Sequence, residues 1–296
     1  TVGEQSNASL MAKEFAKAIE QASGGNIKIR VYPSDQLSGG SMPKGVEMLR
    51  NGSIDCAFEP VDVMSVLDNK LLALSIPWTF ANYQAAEDNL KGSGGAFIKK
   101  VLEAQGIVPL GYIHNGFRQL TNSKRAVRTP EDIKAMKLRV PGGDVFVKFF
   151  KTLGADPIAM SFSELFTALQ QGTVDGQENG FDLITANKFY EVQPHITAWN
   201  YSYGAFALVF SKKVWDKFDD ATKALFEKVA VEVCGKGNKA VVDNEAAKRK
   251  IVMDFGCEIV DLTPEQLQAF KDLLKDYYKE VKDTYGEEAC AAFGVK

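Results

Sequence analysis

Histidine is scarce in this chain, with only His114 and His195 among 296 residues. Neither has a patterned acid or nucleophile beside it, so a histidine-centred catalytic triad has little to build on. Cysteine is nearly as sparse. Cys56, Cys234, Cys257 and Cys290 lie far apart with no C-x-x-C spacing, which argues against zinc or dithiol redox chemistry. Cys56 and Cys257 sit in apolar, strand-like runs and read as buried free thiols, with a Cys257 to Cys290 disulfide as the alternative. Long hydrophobic runs are missing too. The longest apolar stretches, such as Ala205 to Phe210, fall far short of the roughly 20 residues that a membrane-crossing helix needs, so no direct membrane insertion is expected. No basic run exists, and 35 Lys and Arg against 38 Asp and Glu leave a net charge of −3, which disfavours nucleic acid as a partner. The G-x-S-x-G elbow, the phosphate-binding P-loop and H-E-x-x-H are all absent, so the sequence offers no ready catalytic set, metal site or cofactor.

What is present is an ordinary globular composition, 45% apolar and 25% charged. At 296 residues the chain is near the limit for one hydrophobic core, which favours two domains. A repeat supports that division. Leu49-Arg50-Asn51-Gly52-Ser53-Ile54-Asp55 returns as Leu169-Gln170-Gln171-Gly172-Thr173-Val174-Asp175, some 120 residues later. Each copy reads as a helix closed by a glycine and followed at once by a strand that opens on a β-branched residue. The spacing is too wide for a solenoid, whose repeats run at roughly 20 to 50 residues, so two similar α/β lobes are the simpler reading.

Along the chain, Leu10, Met11, Phe15, Ala18 and Ile19 recur at helical spacing over Ala8 to Gln21, with Ser6 or Asn7 as cap. Ile27, Ile29 and Val31 alternate with Lys28 and Arg30, the pattern of a half-buried strand. Strands are expected at Ile54 to Phe58, Ile107 to Ile113, Leu138 to Val140, Asp156 to Met160, Val174 to Gln177, Tyr203 to Phe210 and Cys257 to Val260, with helices between most of them. This alternation predicts two parallel-type α/β sheets. Val214 to Lys250 reads as a long helical stretch, broken or bent near Gly235 and Gly237. That stretch and the strand before it exceed what one lobe needs and should run between lobes, which makes both lobes discontinuous: 1–117 plus 208–245, and 118–207 plus 246–296.

Two arginines stand out. Arg139 lies inside an apolar strand between Leu138 and Val140, just before Pro141-Gly142-Gly143, where the chain must turn. Arg118 follows Phe117 at the end of another strand. Ligands of open α/β sheets bind beyond strand ends, and a guanidinium pairs two N–H groups with a carboxylate, so either arginine could be a carboxylate clamp. Either could equally make an ordinary ion pair. Glu178 and Asn179 close the second strand-end motif, and Asn can both donate and accept. Phe162, Trp78, Phe80 and Phe181 could wall a site or simply fill the core.

Several of these segments resemble one family over nearly the whole chain and in the family's order. They are Tyr32-Pro33-Ser34-Asp35-Gln36-Leu37, Gly52-Ser53-Ile54-Asp55, Asn115-Gly116-Phe117-Arg118-Gln119, Lys137-Leu138-Arg139-Val140-Pro141 and Phe162-Ser163-Glu164, followed by Ala168-Leu169-Gln170 through Asp175-Gly176-Gln177-Glu178-Asn179 and by Glu191-Val192-Gln193. Together they resemble the solute-binding subunits of TRAP (tripartite ATP-independent periplasmic) transporters, of the C4-dicarboxylate-binding type. The resemblance implies a two-lobed periplasmic binding protein fold with a hinge and a long lobe-spanning helix. It implies a non-enzymatic protein, secreted to the periplasm through a cleaved signal peptide, that closes on a small organic acid and delivers it to a TRAP membrane permease. Arg139 matches the arginine that grips the substrate carboxylate, Arg118 a supporting arginine, and Asn179 an asparagine that also reaches the carboxylate. Phe162 matches an aromatic wall, and Glu59 and Trp78 would come from the first lobe.

Two departures from the pattern bear on the ligand. Gly180 stands where a proline usually follows Gln-Glu-Asn, and Gly142 stands where sialic-acid binders carry a polar side chain. The second departure points to a ligand smaller or more apolar than a nine-carbon sugar acid. Glu59, if it faces the cleft, would repel a second ligand carboxylate; it could also point to solvent. A sensing subunit or a two-lobed enzyme acting on a small acid are the alternative readings.

Overall fold

The computed structural model describes residues 3–295. Seven strands, β1 (Cys56–Pro60), β2 (Ile107–Asn122), β3 (Lys137–Val140), β4 (Asp156–Ala159), β5 (Gly176–Asn179), β6 (His195–Ser211) and β7 (Glu258–Asp261), make one continuous sheet. Its order is β1-β6-β2-β5-β3-β4, with β7 also paired to β6. The expected pair of parallel sheets is therefore replaced by a single mixed one. The reason lies in two long strands, β2 with 16 residues and β6 with 17, which pair antiparallel and run through both halves of the molecule. The sequence patterns showed only fragments of each strand, because both are buried on both faces and neither alternates. Parallel pairing is confined to β3 with β4 and β5, and to β6 with β7.

The helices in chain order are α1 (Asn7–Ala22), α2 (Met42–Asn51), α3 (Tyr83–Lys91), α4 (Ser93–Ala104), α5 (Pro130–Ile133) and α6 (Asp144–Thr152). They continue as α7 (Phe162–Gln170), α8 (Phe181–Ala186), α9 (Lys212–Trp215), α10 (Asp220–Asp254), α11 (Pro264–Asp272) and α12 (Lys275–Phe293). Local chemistry sets many of their ends. The Ser6 hydroxyl accepts from the Ser9 amide, Asp219 caps α10 through the Thr222 amide, and Thr263 with Gln266 forms a reciprocal capping box.

The sequence repeat is also a structural one. At the end of α2 the Ser53 amide donates to the Met48 carbonyl, and after α7 the Thr173 amide donates to that of Ala168, at 2.8 and 2.9 Å. Gly52 and Gly172 take φ of 82° and 69°, the left-handed turn that closes each helix. Each motif then docks on the end of a long strand: the Asp55 carbonyl accepts from Ser211 and the Asp175 carbonyl from Ser123.

Two further expectations need correction. The segment from Ile27 to Val31 is not a strand. Ile27 and Ile29 pack against a core, but no backbone ladder forms, and a cavity of 680 Å³ separates the segment from β1. The long helix is unbroken over the 35 residues of α10, although it contains both Gly235 and Gly237. Gly237 allows close packing, since a Cβ there would lie 2.9 Å from Met11 Cγ and 3.0 Å from Ile113 Cγ2. As read for Cys56 and Cys257, all four cysteines are free thiols, and the alternative Cys257 to Cys290 disulfide does not form. Cys257 belongs to a core around α7 and α8, whereas Cys290 lies in the large core beneath α6 and α12, so they do not meet.

Candidate ligand-binding site

Arg139 on β3 and Arg118 on β2 are both 2% exposed, yet their surroundings differ in kind. Arg118 is paired with a carboxylate. Its Nε and Nη2 grip the two carboxylate oxygens of Glu178 on β5, with Nη2 at 2.6 Å from Oε1. Nη2 also reaches the Glu178 carbonyl at 3.1 Å and Asn179 Oδ1 at 3.3 Å. On its other side Nη1 faces Asp62 Oδ2 at 3.8 Å, and the guanidinium lies 5.3 Å from the centre of the Phe146 ring. Burial pushes the pKa of Arg118 down, but Glu178 beside it more than offsets this and holds it above the ordinary value. The Tyr201 hydroxyl donates to Glu178 Oε2 at 2.6 Å, so Glu178 is satisfied as well.

Arg139 has no such counter-ion. Its Nε donates to the Met160 carbonyl at 3.0 Å, and its guanidinium lies 5.7 Å from the Phe162 ring centre. Among the described residues its two terminal nitrogens have no hydrogen-bond or ion-pair partner. Burial consequently lowers its pKa to about 10, with Glu178 opposing the shift. A buried cation without a partner is costly, and a planar fork of free N–H donors is the complement of one carboxylate.

The strand β5 supplies the frame. Asn179 Nδ2 donates to Gln177 Oε1 at 2.6 Å, Gln177 Nε2 to Thr121 Oγ1 at 2.9 Å, and Thr121 Oγ1 to Gln193 Oε1 at 3.1 Å. This buried relay fixes the side chains of the Gln-Glu-Asn run, so Asn179 is held beside Arg118 by its neighbours. A Cβ at Gly180 would lie 2.7 Å from the Asn115 carbonyl, so this chain's departure from proline there coincides with a close backbone approach.

Of the residues singled out from sequence, Arg139, Arg118, Asn179 and Phe162 converge. Glu59 and Trp78 lie apart from them. Glu59 on β1 is buried at 3% exposure and lines the 680 Å³ cavity together with Ser38 and Gly45. Its Oε2 has no hydrogen-bond partner among the described residues, and burial pushes its pKa up to about 7. It therefore does not point to solvent. Trp78 packs edge-on against Phe149 and Trp199, with its Nε1 donating to the Trp199 carbonyl at 3.3 Å. Its backbone amide donates to the Tyr201 carbonyl at 2.7 Å, which places it one step behind the tyrosine that holds Glu178.

Sequence reasoning missed Asp62, Tyr201 and Phe146, all in contact with the Arg118–Glu178 pair. Asp62 sits in a turn without periodicity, and the other two look like ordinary core, so only tertiary contact could have found them. The family-model match covers residues 1–284, and the model is that of bacterial extracellular solute-binding protein, family 7. The chain is 29% identical over 289 residues to the C4-dicarboxylate-binding protein DctB of Bacillus subtilis, an alignment covering 97% of this chain and 82% of that one. It superposes on the sugar acid binding protein DctPAm of Advenella mimigardefordensis in complex with galactonate, with a TM-score of 0.95, 29% identity and 98% and 93% of the two chains covered. A TRAP periplasmic solute-binding protein of Ralstonia eutropha with bound (S)-2-acetolactate also gives a TM-score of 0.95, at 30% identity and coverage of 99% and 96%. The fold, the doubled helix-to-strand unit and the match over almost the whole length agree, and the chain belongs to family 7 of the bacterial extracellular solute-binding proteins, the solute-binding subunits of TRAP transporters.

Proposed function

We propose that this protein captures a small organic acid through its carboxylate, with Arg139 as the clamp and Asn179, Arg118 and Phe162 as its surround, and hands it unchanged to TRAP permease subunits. The observation that carries this reading is the buried Arg139 guanidinium, whose terminal nitrogens have no hydrogen-bond or ion-pair partner among the described residues. Galactonate and acetolactate, the ligands of the two structural neighbours, each carry one carboxylate, which supports the same chemistry. The protein would act in the periplasm after export through a cleaved signal peptide. Capture would close two lobes, 1–117 plus 208–245 and 118–207 plus 246–296, about the long strands β2 and β6. Ligand contacts to both lobes would favour the closed arrangement.

The test is a thermal-shift screen of ligand-stripped, refolded protein against small organic acids and their neutral amides. A ligand at 100 times its dissociation constant stabilises the native state by about 2.7 kcal/mol. An acid should shift unfolding, and its amide should not. Arg139→Ala should weaken binding by about 2–5 kcal/mol, upwards of roughly thirtyfold. Arg139→Lys should recover only part of that, since it restores a point charge without the fork. Binding that is indifferent to Arg139 would remove the clamp from the account.

A further inference from the structure

Asp62, which neither the sequence pattern nor the family resemblance marks, faces Arg118 from the turn after β1. It follows β1, and its side chain is 6% exposed. Its Oδ1 accepts from the Val63 amide at 3.0 Å, while Oδ2 faces Arg118 Nη1 at 3.8 Å, beyond hydrogen-bond range. Among the described residues Oδ2 accepts no hydrogen bond. Asp62 is also within electrostatic reach of Arg139 and Glu178.

The charges around the site can be counted from these contacts. Arg118 and Arg139 bring two positive charges, and Glu178 and Asp62 bring two carboxylates. Glu178 takes the fork of Arg118, and Asp62 lies against the nitrogen that the fork leaves over. Arg139 is then the cation of the set whose charge no carboxylate grips, while Arg118 keeps only Nη1, facing Asp62, outside its pairing with Glu178. A second ligand carboxylate placed near Asp62 would meet a like charge in a poorly solvated setting, beside a guanidinium whose charge Glu178 already offsets. Burial raises the pKa of Asp62 and Arg118 opposes the rise; with the carboxylate ionised, the ligand group that meets Oδ2 must be a donor, such as a hydroxyl.

We infer that Asp62 is a specificity-determining residue that restricts the site to hydroxylated monocarboxylates and excludes the matched dicarboxylates. This rests on the carboxylate-capture reading and narrows it. It also separates this chain from the C4-dicarboxylate binding named for its Bacillus subtilis relative.

Matched ligand pairs test it directly. Glycerate against tartronate, and gluconate against glucarate, differ only in a terminal hydroxymethyl group against a carboxylate. Calorimetric titration of the wild-type protein should show each bound monocarboxylate favoured over its partner by at least about tenfold. Asp62→Asn keeps the acceptor for the Val63 amide and removes the charge. In that variant the preference should collapse to within about threefold, mainly through a gain in dicarboxylate affinity. Wild-type protein that binds dicarboxylates as tightly as their partners, still dependent on Arg139, would overturn the inference and leave the capture reading intact. A preference unchanged in Asp62→Asn would overturn the role of Asp62. Failure of every acid to bind folded protein would overturn the capture reading itself.

Discussion

At the scale of single residues, the charged groups of this protein divide into those with partners and those without. Among the described residues, the terminal nitrogens of Arg139 and Oε2 of Glu59 are in the second class. The folded-state pKa of Glu59 is about 7 against an ordinary 4.5, so between those values the native state holds a proton that the unfolded chain has released. Stability from this group is thus fully present below about pH 4.5 and is lost as pH rises through 7. The shift corresponds to at most about 3 kcal/mol. Glu59→Gln, which stays neutral, should be more stable than wild type by about 1–3 kcal/mol at pH 8 and indistinguishable from it at pH 4 in urea unfolding. A constant difference across pH would remove titration of Glu59 as the cause. Arg139 was legible in the sequence because one charge interrupts an apolar strand just before a turn. The neutralisation of Arg118 was not legible, because Glu178 reaches it across a strand pairing and Asp62 from a turn that carries no pattern.

At the scale of elements, local signals were the readable ones. Caps, helix-closing glycines and the doubled Leu-x-x-Gly unit are written within a few residues, and the structure reproduces each. Strand length and partner choice are not local, which is why β2 and β6 were seen only in part. The alternation at Ile27 to Val31 mimicked a strand because half-burial on a core produces the same period without a ladder. The two glycines of α10 show how context decides the same residue type. A Cβ at Gly235 would meet nothing within 4 Å, whereas one at Gly237 would press on Met11 and Ile113. Gly235→Ala should therefore stabilise the protein by up to about 1 kcal/mol, and Gly237→Ala should destabilise it by about 1–3 kcal/mol. Thermal unfolding of the two variants side by side checks this, and shifts of the same sign would contradict the packing argument.

At the scale of the whole molecule, the sheet is continuous while the cores are separate, so any closing motion must flex β2 and β6. β2 carries register shifts against β6 at His114 to Gly116 and at Arg118 to Leu120, close to the arginine site. Between α7 and the segment before α2, Ser161 and Ser163 both donate to the Gly40 carbonyl, at 3.2 and 3.0 Å. Replacing both serines by alanine should lower ligand affinity by about tenfold, since each net hydrogen bond contributes about 0.5–1.5 kcal/mol to the closed arrangement. Unchanged affinity in calorimetric titration would show that this contact plays no part in capture. The aromatic packing has one more consequence, an optical one. Of the three tryptophans, Trp78 and Trp199 touch edge-on at 6.2 Å in one core, and Trp215 stands alone among Phe210, Phe218 and Phe226 in another. The third core, around Leu165, Phe189 and Val252, contains none. Tryptophan fluorescence thus reports on two cores, one through an indole pair and one through a single indole, while loosening of the third core, with Tyr190 but no tryptophan packed against it, escapes that signal.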